Sequence, residues 1–457
     1  MTLGRRRIIY IGFFAIFIIL APIIILYSTG YSYNFKKNKL EKTGIIFIES
    51  NPKNAQVYID GKLKKNKTPA RFTRMLPGTY KIEVRKDGYH SWSKEMEVKS
   101  NLTTFNRDII IFKKSLPINI ADGQINILTA SPDQKKIVYS IIKEGIEELR
   151  FFNLNNNSDF LIQEFSPNSY NMFEFIEWSP SQNKVLLKQA LGNINQYLIV
   201  DTETLKIKEL SAITRINFER LSWDQGSDNF LYGLRQAVLH RIDIANNTDD
   251  ALLSANISDF WINGNEILYI TELAGESFLN REFLDISSGE AERIKLPSPS
   301  EYTLENSIND QIVLLDKRNS DLFIIKKSAF NSQGIEKDII LQDKAKELIW
   351  SENGRELLYY TDFEIWIFDA GKQEKKIVTR YGEVINQALW HPEDTYVIYQ
   401  VGNSVRVIET VDNEMKNDLE LTLVSNINSV LIDDSEQNIY FGGRIGNQQG
   451  LYRLEIQ

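Results

Sequence analysis

Between residues 130 and 440 one short pattern keeps returning: an apolar residue or tryptophan, a polar tight-turn cluster, then an apolar run that ends in tyrosine in most copies. Copies open at Ala130-Ser-Pro-Asp-Gln-Lys, Trp178-Ser-Pro-Ser-Gln-Asn, Trp223-Asp-Gln-Gly-Ser-Asp and Trp261-Ile-Asn-Gly-Asn-Glu. They continue at Trp350-Ser-Glu-Asn-Gly-Arg, Trp390-His-Pro-Glu-Asp-Thr and Ile432-Asp-Asp-Ser-Glu-Gln, with a faint copy near Ile308-Asn-Asp-Gln. The opening positions 130, 178, 223, 261, about 308, 350, 390 and 432 give a period of about 43 residues. A unit of that length cannot bury both faces of its own strands, so the copies have to stack and the array has to close on itself.

About 43 residues is the length of one four-stranded β-propeller blade. Residues 115–457 are therefore expected to form a propeller of eight blades, or of seven if the faint fifth copy is not one. Trp178, Trp223, Trp261, Trp350 and Trp390 are its structural repeat positions, each ending an innermost strand and packing between neighbouring blades. The turn after each should use φ > 0 at Gly or Asn. The last copy supplies three strands, ending at Gly450-Leu-Tyr-Arg-Leu-Glu-Ile456, and Pro117-Ile-Asn-Ile120 is expected to add the fourth as a clasp. With these residues in view, the repeats resemble the WD-related family of the periplasmic protein TolB and the propeller of dipeptidyl peptidase-like enzymes. The resemblance implies a fold and leaves the function open.

The first forty residues set the compartment. From Ile8 to Tyr27 no residue is charged and fourteen are Ile, Leu or Phe. Such a run is long enough to cross a hydrocarbon core about 30 Å thick, and at roughly −0.3 to −0.6 kcal/mol per residue those fourteen outweigh Gly12 and Pro22. Arg5, Arg6 and Arg7 flank its start, so residues 1–7 are expected in the cytoplasm, 8–27 as an uncleaved transmembrane signal anchor, and the rest outside the cell membrane. Lys36, Lys37 and Lys39 weaken that asymmetry without reversing it. Residues 28–43 are expected to be a linker whose Tyr31, Tyr33 and Phe35 extend, with Tyr27, an interfacial aromatic belt.

Residues 44–114 read as short strands separated by turn chemistry. Asp60-Gly61 is a hairpin signal, and Tyr80, Ile82 and Val84 alternate with Lys81, Glu83 and Arg85, placing one set inward and the other in water. The order Ser50-Asn-Pro52, Ala55-x-Val57-Tyr58-Ile59-Asp60-Gly61, Thr68-Pro69, Leu76-Pro77-Gly78 and Gly88-Tyr89-x-x-Trp92 resembles a PEGA domain over residues 44–112. Where that family reads Pro-Glu-Gly-Ala, this chain has Pro52-Lys-Asn-Ala55, and Asn54 can take the left-handed conformation that Gly supplies. The resemblance implies a small β-sandwich without catalytic role. The basic run Lys62, Lys64, Lys65 and Lys67 is expected on a loop, where it can touch an anionic surface.

The sequence therefore predicts a mostly β chain: a transmembrane helix, a PEGA-like sandwich, then a propeller. Residues 1–114 carry 22 Lys+Arg against 8 Asp+Glu, whereas residues 115–457 carry 31 against 53, so a basic stem bears an acidic head. Such a head repels phosphate backbones, and nucleic acid is not an expected partner. With no cysteine, thiolate chemistry, disulfides and lipidated cysteine are excluded. His90, His240 and His391 are dispersed, and His391 fills a slot that is Ser in sister repeats. No Gly-x-Ser-x-Gly elbow, phosphate loop or dinucleotide fingerprint occurs. Turn acids such as Asp133, Glu352 and Glu393 read as turn formers. No catalytic residue, cofactor or metal ligand is expected, and the function that fits is an anchored binding or scaffold protein whose propeller recognises a protein or a cell-envelope polysaccharide. The rival reading is a glycan- or peptide-processing propeller enzyme using channel carboxylates.

Overall fold

The apolar run forms a single helix, α1 (Leu3–Ser28), in a computed structural model that describes residues 3–457 apart from 36, 166–170, 192–193, 215–217, 285–290, 309, 332–334 and 412–415. Of residues 3–6, 171, 172, 191 and 194 it describes the backbone alone. The stretch Arg7–Ser28 has a mean hydropathy of 2.9 and none of it is buried by protein, so its apolar surface calls for a non-aqueous partner. The chain divides into two compact units, one built on residues 1–115 and the other on residues 116–455.

In the first unit α1 leads into an antiparallel hairpin, β1 (Tyr31–Asn34) with β2 (Lys39–Lys42), turned by Asn38 at φ 49°. Seven strands follow: β3 (Gly44–Asn51), β4 (Gln56–Ile59), β5 (Lys62–Lys67), β6 (Ala70–Met75), β7 (Gly78–Arg85), β8 (Trp92–Val98) and β9 (Thr103–Ile110). They make two sheets, β6-β3-β9 and β5-β4-β7-β8. Their inward residues, among them Ile46, Ile48, Val57, Ile82, Val84 and Trp92, form one buried cluster.

The motif positions hold one another. The Ser50 hydroxyl lies 2.7 Å from that of Thr68, which accepts the Ala55 N–H at 3.0 Å, while the Asn54 N–H donates to the Thr68 carbonyl at 2.8 Å. Asn54 takes the expected left-handed conformation, at φ 65°. Glu83 departs from the alternation: it is buried, and ion pairs to Lys81 and Arg85 on its own strand offset the loss of hydration. Lys62, Lys64, Lys65 and Lys67 are not on a loop. They form β5, an edge strand paired with β4 through Lys67↔Gln56, Leu63↔Tyr58 and Lys62↔Ile59. With no apolar alternation to announce it, this strand is recruited by pairing, and its lysines discourage further strand addition at that edge.

The second unit is a β-propeller. Its sheets are four-stranded and antiparallel: 124–165, 171–209, 220–254, 257–295, 302–344, 347–380, 385–423, and 430–455 completed by Ile118–Asp122. That last strand pairs with Gln448–Glu455, through Ile118↔Arg453 and Asp122↔Gly450, as the clasp was expected to do. Buried clusters run from sheet to sheet around the array. One joins Val138 and Phe151 of the first sheet to Trp178 and Val185 of the second, and another joins Tyr440 and Leu451 of the eighth to Ile137 and Tyr139 of the first.

The indole N–H groups of Trp178, Trp350 and Trp390 reach the preceding sheet, at Thr129 Oγ1 (3.1 Å), the Asn306 carbonyl (2.8 Å) and the Ile349 carbonyl (3.0 Å). Trp223 is fully buried and Trp261 is half-buried against the fifth sheet. The faint fifth copy opens at Glu305, where Glu305↔Val313 replaces Trp350↔Leu357 of the next sheet. Its innermost strand therefore ends three residues before the expected 308.

Candidate functional site

All the repeat turns join a sheet's first strand to its second, so they gather at one end of the propeller. Five share one construction. The N–H groups of Ser131, Ser179, Ser351, His391 and Asp433 donate to the carbonyl five residues on, at 2.8 to 3.1 Å, and the fourth residue of each turn donates back to the first. That fourth residue has positive φ in every case: Gln134 (56°), Gln182 (61°), Gly354 (65°), Asp394 (53°) and Glu436 (60°). The expectation of Gly or Asn holds at Gly354 alone among these five. The paired strands on either side fix the turn, and the strain of about 1–2 kcal/mol at a non-glycine residue is tolerated.

Neighbouring turns are tied together. Gln182 Oε1 accepts the Asp133 N–H at 2.7 Å, Asn353 donates to Asp394 at 3.0 Å, and the Asp434 N–H donates to the Gln134 carbonyl at 3.2 Å across the junction of eighth and first sheets. Between them lies a cavity of about 490 Å³ lined by turns of the sixth, seventh, eighth and first sheets. Asp133, Glu352, Asp394 and Asp434 supply its carboxylates, Trp350 and Trp390 its aromatic wall, and no lysine or arginine lines it among the described residues. A second cavity of about 470 Å³, lined by Phe175, Glu177, Trp178, Gln182 and Trp223, shares Pro132 with the first.

The electrostatics follow from this crowding. Burial, and then the charges of Glu356 and Glu352, push the Asp394 carboxyl up to about 6. Burial, with Glu393 and Asp433 beside it, also raises Glu436. Among the described residues no three carboxylates or imidazoles converge closely enough to hold a metal ion. The charge is spread over the rim of a cavity, an arrangement suited to an extended cationic group.

Two carboxylates of the innermost strands, the half-buried Glu177 and the buried Asp259, serve differently. Glu177 accepts the Trp223 N–H at 2.9 Å and the Ser222 hydroxyl at 2.8 Å. Asp259 accepts the Leu304 N–H at 2.7 Å and pairs with Arg220. Burial raises both pKa values. Each carboxylate satisfies an N–H that the next sheet's innermost strand would otherwise leave open, as Gln387 does for Val430 at 2.8 Å.

The sequence-expected site residues are not brought together. Lys62, Lys64, Lys65 and Lys67 lie on β5, Arg7 lies in α1, and the side chains of Arg5 and Arg6 lie outside the described residues. Of the turn acids, Asp133 and Glu352 do line the cavity. Asp133 also forms its turn, accepting the Ser131 hydroxyl at 2.5 Å.

The PEGA domain family matches residues 43–113. No curated protein matches the chain. Among solved structures the chain is similar to dipeptidyl peptidase 4 of Porphyromonas gingivalis, at 11% identity and a TM-score of 0.50, over 74% of this chain and 60% of that one. It is also similar to an oligogalacturonate lyase of Vibrio parahaemolyticus, at 11% identity and a TM-score of 0.43, over 74% of this chain and 98% of that one. A third is the dihydro-heme d1 dehydrogenase NirN, at 10% identity and a TM-score of 0.49, over 72% of this chain and 74% of that one. The chain thus spans about three fifths of the peptidase. At these identities the likeness is one of fold.

Proposed function

We propose that this chain is a single-pass, membrane-anchored binding or scaffold protein whose propeller takes a basic segment of a partner protein at its turn face. In this reading residues 1–7 are cytoplasmic, 8–27 span the cell membrane and 28–43 connect. Residues 44–114 act as spacer or surface contact, and 115–457 form an extracytoplasmic propeller with one blade for each of its eight sheets. The observation that carries the reading is the 490 Å³ cavity with four carboxylates and no basic residue on its described lining.

A protein partner is favoured over a cell-envelope glycan because three of the five repeat tryptophans, Trp178, Trp223 and Trp390, are spent on packing, and Trp350 on the wall of the first cavity is itself half-buried. Trp390 and Trp223 are buried between sheets, which leaves little ring face for a sugar to stack on. A binding role is favoured over catalysis because Glu177 and Asp259 are engaged as ties between innermost strands, with their oxygens accepting main-chain N–H groups. A catalytic pair needs carboxyls free to exchange protons with substrate.

The test uses the detergent-solubilised full chain as bait for envelope fractions, beside a Glu352→Gln/Asp394→Asn variant and a glycan array. The expected result is a protein partner retained by the native chain and weakened about tenfold or more by the double substitution. Retention should also fall as pH drops through about 6, where Asp394 takes up a proton, and Asp394→Asn should flatten that dependence. Equal retention by the variant, a glycan as the only ligand, or turnover of a glycan or peptide that stops when Glu177 or Asp259 is changed would each overturn the proposal.

A further inference from the structure

The outer face of the β6-β3-β9 sheet carries side chains that packing of the small unit does not require. On β3 the residues Ile46 and Ile48 point into the core, so Ile45, Phe47 and Glu49 point away. Phe47 stands in register with Arg71 of β6 on one side and Phe105 of β9 on the other. The two phenylalanine rings are 5.9 Å apart, and the Arg107 guanidinium sits 4.4 Å above Phe105 and 5.6 Å above Phe47. Phe105 is 55% exposed and the nearby Leu102 is 57% exposed, so this is an open apolar surface under a cationic cover. Arg71 and Arg107 are exposed, and neither pairs with a carboxylate among the described residues. Glu49, toward the far end of β3, and Asp108, next to Arg107, are the acids that accompany them.

A second observation says what meets this face. Arg74, at the end of β6 in a left-handed conformation (φ 62°), places its guanidinium 3.4 Å from the ring centre of Tyr27, in the last turn of α1. The edge of the sheet is therefore one side chain away from the end of the apolar helix. A helix that ends in a bilayer brings this edge to the headgroup layer. There arginines over partly exposed phenylalanines have a natural counterpart, with guanidinium forks for phosphate oxygens and rings for the acyl boundary beneath them.

We propose that the β6-β3-β9 face, through Arg71, Arg74, Arg107, Phe47 and Phe105, lies on the anionic phospholipid surface of the membrane that holds α1. It is this face, and not the lysine strand β5, that makes the contact. The inference rests on α1 being a membrane anchor. Docking fixes the small unit against the bilayer, so that it is a foot and not a freely tumbling spacer.

The chain has no cysteine, so one introduced cysteine carries a probe without competition. Full-length Thr103→Cys and Lys64→Cys proteins are labelled with an environment-sensitive fluorophore and reconstituted into vesicles of phosphatidylcholine with or without phosphatidylglycerol. Some of the vesicles contain spin-labelled quencher lipids. Recovery of the protein with the vesicles after alkaline extraction checks the anchor separately, so failure of insertion and failure of docking give different results. The expected outcome is quenching at position 103 in the anionic vesicles, little at position 64, and little at either in neutral vesicles. Arg71→Gln/Arg107→Gln should lower the docked fraction, roughly fivefold for each arginine. Unchanged circular dichroism and melting of the variant show that its fold is kept. Position 64 quenched in place of 103, quenching that ignores lipid charge, or an inserted protein with no quenching at 103 would each overturn the proposal.

Discussion

Valine in place of Gly450 should destabilise the propeller by about 3 kcal/mol or more, with the first loss of structure at the clasp. Gly450 stands opposite Asp122, and a Cβ at that position would run into the Ala121 carbonyl oxygen and the Asn119 amide. The obstacle is largely backbone, so it cannot swing aside as a flexible side chain would. The strand Ile118–Asp122 would be pushed from Gln448–Glu455, exposing the edge it covers and opening the cluster in which Leu451 meets Ile137 and Tyr139. Hydrogen exchange should accelerate at residues 118–122 before it does elsewhere, and the melting transition should fall by several degrees. A valine variant that melts with the native protein and keeps its exchange protection would show that the clasp does not hold the array shut.

The second large effect is one of pH. His391 is fully buried in the turn of the seventh sheet, and burial lowers its pKa from the ordinary 6.5 to about 4. The folded protein therefore binds this proton less readily than the unfolded chain does. Between about 6.5 and 4 the unfolded state holds more protons, so stability rises with pH across that window. The contribution is complete above about 6.5 and is lost as pH falls toward 4. A shift of this size corresponds to about 3 kcal/mol. His391→Ser puts into the slot the residue that the first, second and sixth sheets use there, whose hydroxyl accepts an N–H of the following strand at 3.0 to 3.1 Å. Urea unfolding near neutrality and near pH 4.5 should show the native chain losing roughly 2 kcal/mol more than the serine variant, since part of the shift lies below pH 4.5. The difference isolates this one site, since all carboxylates are common to both proteins. Equal losses would mean that His391 is charged or hydrated within the fold.

The sequence revealed those parts of the fold that are written locally. Each tryptophan and the turn after it lie within ten residues, so the period and the innermost strands could be read from the residues alone, and the clasp followed from counting, because the last copy is one strand short of four. Parts that depend on pairing could not. β5 has no alternation and is a strand because β4 offers it an edge. Gln134, Gln182 and Glu436 take a left-handed conformation that their side chains disfavour, because the strands on either side are already fixed. The cavity was hidden for a geometric reason. Asp133 and Asp434 are three hundred residues apart in the chain and meet only when the eighth sheet comes round to the first. The aromatic face of Phe47 and Phe105 was hidden in the same way, because a parallel pairing of β3 with β9 crosses most of the small unit.

The pairing of Ile118–Asp122 with Gln448–Glu455 also imposes an order of events on biosynthesis. More than three hundred residues are made after the first of these strands and before its partner exists. Throughout that interval the nascent chain carries an unsatisfied β-edge at each extremity, the kind of surface that recruits other chains. A product cut short anywhere upstream of residue 448 would keep those edges permanently. Pairing of the last strand with the first removes both edges in a single step, and until then the unfinished rim is open to strands of other chains.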